Sequence, residues 1–225
     1  MKIAIQAALV AALTLPSTAF AASPTVVELY QSQGCSSCPP AIANVNRLVD
    51  HSDILALTFA VTYWDQLGWQ DTFARPEFTG RQYDYSHGLH HSGVYTPQVV
   101  IDGRSDLVGA DQGELNSAVA HATPIDGPPI STAQGQVTVG PGRIQQADVW
   151  LVRYDPRTLN VAIGRGENSG VTIAHRNVVR QLVRLGSWSG SSQNYTVPAA
   201  GDAAWRSAIL IQAVNGGPIL GAAKL

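Results

Sequence analysis

Two cysteines three positions apart, Cys35 and Cys38, constrain this chain more than any other feature of its sequence, because its 225 residues contain no other cysteine. A short apolar run, Val26 to Tyr30, precedes them across a polar loop, and a helical pattern begins just after Cys38. A C-x-x-C pair at a strand-to-helix junction is typical of dithiol redox centres. The same pair could instead bind a metal ion or form a local disulfide.

The amino terminus predicts export from the cell. Lys2 is followed by an apolar run, Ile3 to Leu15, and by the small-residue pattern Ala19-Phe20-Ala21, which together are typical of a secretory signal peptide over residues 1–21. The apolar run is shorter than the roughly 20 residues that a membrane-spanning helix needs. We therefore expect a periplasmic or secreted protein with no stable membrane insertion after cleavage.

The composition argues against several classes of function. Lys and Arg total 14 and Asp and Glu total 16, with no basic run, so nucleic acid is not an expected partner. The Gly-rich segment 164–168 lacks the lysine and hydroxyl residue of a phosphate-binding loop, and we interpret it as a turn. No cofactor is predicted, and the expected partners are the thiols and disulfides of other proteins.

The position of the cysteine pair favours chemistry over a structural staple. A disulfide between Cys35 and Cys38 would close a very small loop, and its entropic stabilisation would be only about 2 kcal/mol. At a helix start, the first cysteine faces unpaired N–H groups and the positive end of the helix dipole, which stabilise a thiolate. Cys35 is therefore the predicted attacking thiol, and Cys38 the resolving thiol.

Glu28 is a carboxylate inside the apolar run that precedes the cysteines. Behind the pair, a buried carboxylate with a raised pKa could accept a proton from Cys38 during exchange, so Glu28 is a candidate catalytic residue. The alternatives are that Glu28 points to the surface at a strand edge or pairs with a basic residue.

Further candidates are expected near the cysteines in space. Thr96-Pro97 precedes a predicted strand, and a cis bond there would bring backbone hydrogen-bonding groups to an extended substrate. Trp64 and Asp65 follow the most apolar predicted strand, at the sheet end where ligands bind in parallel sheets. These four residues are predicted to contact the substrate, although Trp64 and Asp65 could instead serve for packing and helix capping.

Three histidines, His87, His90 and His91, offer an alternative in which the cysteine thiolates and a histidine hold Cu(I) or Zn. They fall in a segment with Gly and Ser that we expect to be an exposed loop. The sequence therefore predicts no metal ligand among them, and a periplasmic metal-binding or metal-delivery protein remains an alternative function.

The predicted elements describe two domains. Over residues 22–122 they follow the order strand, helix, strand, helix, strand, strand, helix, which is the order of an α/β thioredoxin-like domain. Residues 123–129 predict a linker, and 130–225 predict a β-rich, sandwich-like domain of short strands. Within it, Val178 to Leu185 fits either a strand or a helix, and a strand is favoured.

The chain resembles a secreted, thioredoxin-like bacterial family that is catalogued as a domain of unknown function. The resemblance rests on five segments: V-E-L-Y-Q-S-Q-G-C-S-S-C-P-P (27–40), Y-W-D-Q-L-G-W-Q-D (63–71), Y-T-P-Q-V-V-I-D-G (95–103), G-R-G-E-N (164–168) and R-N-V-V-R (176–180). It implies an exported thioredoxin-like domain with a β-rich C-terminal domain and implies no substrate.

Together, these observations predict an exported thiol–disulfide oxidoreductase that uses a C-x-x-C dithiol. The alternatives are the metal-binding protein above and a non-catalytic thioredoxin-like interaction module with a permanent disulfide.

Overall fold

A computed structural model describes residues 22–143 and 146–225, so the predicted signal peptide lies outside the described residues. In these residues the helices are α1 (Cys38–Leu48), α2 (Pro76–Gly88) and α3 (Gln112–Ala120), with a 3-10 turn at Asp65–Leu67. The strands are β1 (Thr25–Gln31), β2 (Ile54–Ala60), β3 (Gln98–Ile101), β4 (Ser105–Leu107), β5 (Ile130–Ala133), β6 (Gln136–Val139), β7 (Ala147–Asp155), β8 (Leu159–Ala162), β9 (Thr172–His175), β10 (Val178–Trp188), β11 (Gln193–Thr196), β12 (Arg206–Ala213) and β13 (Ile219–Lys224). None of the described helices is long and apolar enough to cross a membrane.

The first half of the chain builds a four-stranded mixed sheet in the order β2-β1-β3-β4. β1 and β2 are parallel, whereas β3 is antiparallel to both β1 and β4. Helices cover both faces, since α1 and α3 pack against one and α2 packs against the other. Both faces of β1 and β2 are therefore buried, which explains why their sequences are almost continuously apolar.

The side chains of β1 alternate between these two faces. Val27 and Leu29 belong to the cluster that contains the cysteines and α1, whereas Val26 and Tyr30 belong to the cluster with Phe78 of α2. Each fully buried Val or Leu contributes roughly 1.5–3 kcal/mol by leaving water. Glu28 lies two positions from both Val26 and Tyr30, so its side chain points to the same face as theirs, toward α2.

The second half extends this sheet, so the two predicted domains share one eight-stranded sheet, in the order β13-β12-β7-β10-β2-β1-β3-β4. β10 lies parallel to β2, with Val178 opposite Thr58. The predicted linker contains no helix or strand, but it packs closely against β13. A Cβ atom added at Gly127 would lie only 1.7 Å from the carbonyl oxygen of Leu220. The predicted boundary thus runs through a single sheet, and the linker is not a free tether.

Two small sheets complete the fold. The three-stranded sheet β11-β6-β5 shares an apolar core with β7, β10 and β12, which gives the second half its two-layered, sandwich-like packing. The hairpin β8-β9 packs against the α1 side of the first half through Ile163 and Ile173. This packing places the loop between β8 and β9, residues 163–171, next to the cysteines.

Candidate redox site

The two cysteines lie at the junction of β1 and α1. Cys38 is the first residue of α1, and the two prolines that follow it occupy the first turn, where a missing N–H is tolerated. Cys35 lies one turn earlier, and its carbonyl oxygen accepts a hydrogen bond of 3.1 Å from the backbone N–H of Cys38. Both thiols are free and both residues are buried, so the site is in its dithiol form.

The surroundings distinguish the two thiols. The Cys35 Sγ lies 3.2 Å from the Ser37 hydroxyl and 3.9 Å from the Thr96 carbonyl oxygen. The hydrogen bond from the Cys38 thiol, supported by Ser37 and Thr96, outweighs burial and lowers the pKa of Cys35 to about 6. Burial, followed by the interaction with Cys35, raises the pKa of Cys38 well above its usual range. At neutral pH the pair thus holds one thiolate and one thiol.

The Thr96–Pro97 peptide bond is cis, as the sequence predicts. This bond places the Thr96 carbonyl beside Cys35, and the Thr96 hydroxyl accepts a 2.8 Å hydrogen bond from the Trp64 indole N–H. The half-buried Trp64 side chain also packs against the core cluster that contains the cysteines. Three predicted site residues, Trp64, Thr96 and Pro97, therefore lie together at the cysteines, and their contact with a substrate remains a prediction.

The structure does not place Glu28 beside the cysteines; it shows the alternative arrangement, in which Glu28 pairs with a basic residue. Glu28 is fully buried, but it projects to the face of the sheet opposite the cysteines. Its carboxylate accepts hydrogen bonds of 2.8 and 3.2 Å from the Arg81 guanidinium and a further bond from the Tyr85 hydroxyl. Arg81 also donates to Gln212 of β12. Glu28 is therefore the centre of a buried ion pair that ties β1 to α2 and to the second half.

Asp65 contributes to loop structure and not directly to the cysteines. It begins the 3-10 turn, and its carboxylate accepts a 3.0 Å hydrogen bond from the backbone N–H of Asp71. The buried Asp71 carboxylate in turn accepts a 2.7 Å bond from the backbone N–H of Gln33, two residues before Cys35. Burial raises the pKa of Asp71 to about 6, against the hydrogen bonds from Gln33 and Phe73. Asp65 thus reaches the cysteine loop only through a second carboxylate.

The loop 164–168, predicted only as a turn, forms part of the site. The buried Asn168 amide donates hydrogen bonds of 2.9 Å to the carbonyl oxygens of Gln33 and Cys35. The exposed Glu167 carboxylate accepts bonds of 3.1 and 2.7 Å from the backbone N–H and hydroxyl of Ser36. Neither residue was a candidate from the sequence; the available signals were two hydrogen-bonding side chains within a Gly-rich turn and the presence of this segment in the family resemblance.

The histidines predicted to be exposed do not join the cysteines. His87 lies in the last turn of α2, and His90 follows its end. The His91 ring donates from Nε2 to the Asp106 carboxylate, at 2.9 and 3.0 Å from its two oxygens, and the same carboxylate accepts a bond of 2.6 Å from the Tyr95 hydroxyl. Within residues 22–143 and 146–225, no group of three or more His, Cys, Asp or Glu side chains gathers as a metal site would require.

A different histidine, His175 of β9, is fully buried. Its ring packs edge-on against Phe73 at 5.6 Å, and neither ring nitrogen has a hydrogen-bond partner in the described part of the chain. Burial lowers the pKa of His175 to about 4, so the imidazole is neutral at physiological pH.

Comparisons with known proteins place the chain in a family. An X-ray structure of a protein from Agrobacterium tumefaciens, solved by a structural genomics consortium, is 31% identical, with a TM-score of 0.75 over 92% of this chain and 96% of that one. HBP35 of Porphyromonas gingivalis shares the fold alone, at 12% identity and a TM-score of 0.55 over 91% of this chain and 75% of that one. No curated protein matches. The family model described as "Protein of unknown function (DUF1223)" matches residues 26–213, and the chain therefore belongs to that family.

Proposed function

We propose that this protein is an exported thiol–disulfide oxidoreductase that acts on the thiols and disulfides of other proteins. The observation that carries the proposal is the asymmetry of the cysteine pair beside a cis-proline: the pKa of Cys35 is lowered to about 6 and that of Cys38 is raised. A permanent structural disulfide has no need of such asymmetry, whereas disulfide exchange requires one nucleophilic thiolate and one thiol held in reserve.

The fold argues for the same chemistry. The strand order β2-β1-β3-β4, with α1 and α3 on one face and α2 on the other, supports a thioredoxin-like first half. In this arrangement the cysteine pair lies at the N-terminus of α1, where the helix dipole stabilises a thiolate. Export is inferred from the composition of residues 1–21 alone.

Reduction of a substrate would proceed in two exchanges. The Cys35 thiolate attacks one sulfur of the substrate disulfide, which forms a mixed disulfide and releases the other sulfur as a thiolate. Cys38 then gives its proton to the substrate thiolate released in the first exchange and attacks the Cys35 sulfur, which forms the Cys35–Cys38 disulfide and releases the second substrate sulfur as a thiolate. Oxidation of a substrate is the same sequence in reverse. In both directions the Ser37 hydroxyl, 3.2 Å from the Cys35 sulfur, stabilises the thiolate by donating to it.

The test is to trap the mixed disulfide. A Cys38→Ala variant retains the attacking thiol and lacks the resolving one, so after incubation with bacterial periplasmic extract it should form adducts that reducing agent removes. The double variant Cys35→Ala, Cys38→Ala is the matched control and should form none. A Cys38→Ala protein that remains free of adducts, while the wild type also fails to reduce a model protein disulfide, would reject the proposal.

A further inference from the structure

The loop from the second half meets the cysteine loop through a charged contact. Glu167 is exposed, yet its carboxylate binds both the backbone N–H and the hydroxyl of Ser36, the residue after Cys35. These hydrogen bonds lower the pKa of Glu167, so the side chain carries a full negative charge at neutral pH. A negative charge is therefore fixed at the end of α1 where the thiolate forms.

Covalent geometry limits the distance between this charge and the sulfur. The Glu167 oxygen lies 3.1 Å from the Ser36 nitrogen, and the bonds that join this nitrogen to the Cys35 Sγ span at most about 5 Å. The carboxylate oxygen is thus within about 8 Å of the sulfur. That separation is no longer than the Debye length at physiological salt, about 8 Å, so salt screens the repulsion between the two negative charges only in part.

This repulsion acts on only one of the two redox forms. The dithiol form carries a thiolate at Cys35, whereas in the Cys35–Cys38 disulfide both sulfurs are neutral. Reduction of that disulfide by two electrons and one proton, with Cys35 left as the thiolate, creates a negative charge facing Glu167. The carboxylate therefore disfavours the reduced form and leaves the oxidised form unaffected.

We propose that Glu167 is a positioning residue of the cysteine pair: it holds the loop at Ser36 and, through its charge, shifts the dithiol–disulfide equilibrium toward the disulfide. This inference deepens the proposed function, because it concerns the same two thiols. Through the loop 164–168, the second half of the chain would thus influence the dithiol–disulfide equilibrium of the cysteines in the first half. Neighbouring Asn168, which is neutral, holds the same loop without this electrostatic effect.

The test is Glu167→Gln, which keeps an oxygen that can accept from Ser36 and removes the charge. We expect the pKa of Cys35 to fall by about half a unit, and the equilibrium with glutathione to shift about threefold toward the dithiol. Both shifts should shrink at about 1 M salt, where the Debye length is about 3 Å. The matched control is Glu77→Gln, which removes an exposed carboxylate from the first turn of α2, a helix without a cysteine.

The outcomes separate this inference from the function on which it rests. A Glu167→Gln variant with the equilibrium constant of Glu77→Gln, or with a salt-independent shift, overturns the electrostatic role. A shift of the equilibrium toward the disulfide also overturns the electrostatic role, because removing a negative charge near the thiolate cannot disfavour the dithiol form. The contact between Glu167 and Ser36 would then be purely structural. These measurements need only the two thiols of the full chain, so they remain informative even if Cys38→Ala traps no substrate.

Discussion

Asn168 and Cys35, separated by 133 positions in the chain, are joined by a hydrogen bond of 2.9 Å from the side-chain amide to the backbone carbonyl. The same amide donates to the Gln33 carbonyl, so one side chain satisfies two buried acceptors of the cysteine loop. The conformation of the candidate site therefore depends on a residue from the other half of the molecule.

Replacing Asn168 by Ala should destabilise the protein by about 1–3 kcal/mol, because two buried carbonyl groups would lose their donor. Urea denaturation at neutral pH measures this loss. The control is Asn194→Ala at an exposed position, where a change within about 0.5 kcal/mol is expected. Equal effects of the two substitutions would contradict the anchoring role of Asn168.

The reduced protein should show a thiolate that titrates near pH 6, because the pKa of Cys35 is lowered to about 6 from the usual value of 9.0. The ultraviolet absorbance of the thiolate should rise through this pH, and Cys35→Ala should abolish the rise. The unfolded chain holds this proton more tightly, so Cys35 contributes stability that grows between about pH 6 and 9 and is lost as the pH falls through about 6. A titration midpoint above about pH 8 would be that of an ordinary thiol.

Glu28→Gln should reduce stability without changing the cysteines. The substitution leaves the buried Arg81 guanidinium without its carboxylate, and breaking a buried pair in this way costs about 3–5 kcal/mol. Urea denaturation measures the loss, and the titration of Cys35 in the same variant should match that of the wild type. A displaced Cys35 titration would reinstate Glu28 as part of the redox site.

His175 should make the protein less stable in mild acid. Its pKa of about 4 lies below that of an unfolded histidine, about 6.5, so the unfolded chain takes up the proton first and stability falls as the pH drops through this range. The loss reaches roughly 2 kcal/mol at pH 5. Asp71 acts with the opposite sign, because its pKa is raised to about 6 and the folded protein binds that proton more tightly.

The contribution of His175 is therefore measured as a difference. Urea denaturation at pH 7 and at pH 5 should show that His175→Phe removes about 2 kcal/mol of the destabilisation that acid causes in the wild type. Asp71→Asn should change the pH dependence in the other direction. Identical pH profiles for His175→Phe and the wild type would mean that the imidazole is not held neutral by burial.

Local sequence patterns predict the centre of the site well. The strand-to-helix junction at the cysteines is found because local patterns determine it, and the cis bond at Thr96-Pro97 is found where the order of the predicted elements led us to expect it. Val178 to Leu185 lies within a strand, as favoured, although its apolar spacing also fits a helix. Pairing with β2 and β7 makes this segment a strand, and that pairing depends on the whole fold and not on the local sequence.

The errors have physical reasons. The apolar run around Glu28 is buried on both faces, so it carries no alternation that shows which face a single carboxylate takes. Neither β5 nor β13 carries a strong strand pattern, since β5 has only four residues and β13 contains a glycine, two alanines and a lysine. The contacts of Glu167 and Asn168 join residues more than 130 positions apart, a distance that no local pattern spans.

The pairing of β10 with β2 has a consequence for any attempt to isolate the half that bears the cysteines. Next to β2, the backbone N–H of Thr58 donates to Asn177 at 3.0 Å, and the Asn177 amide donates to the Ala56 carbonyl at 2.8 Å. A fragment ending at residue 122 would leave β2 as a bare, apolar edge with unpaired backbone groups. An exposed edge of this kind pairs with strands of other molecules, so the fragment should self-associate. Measurements on its two thiols would then describe an aggregate and not the folded protein.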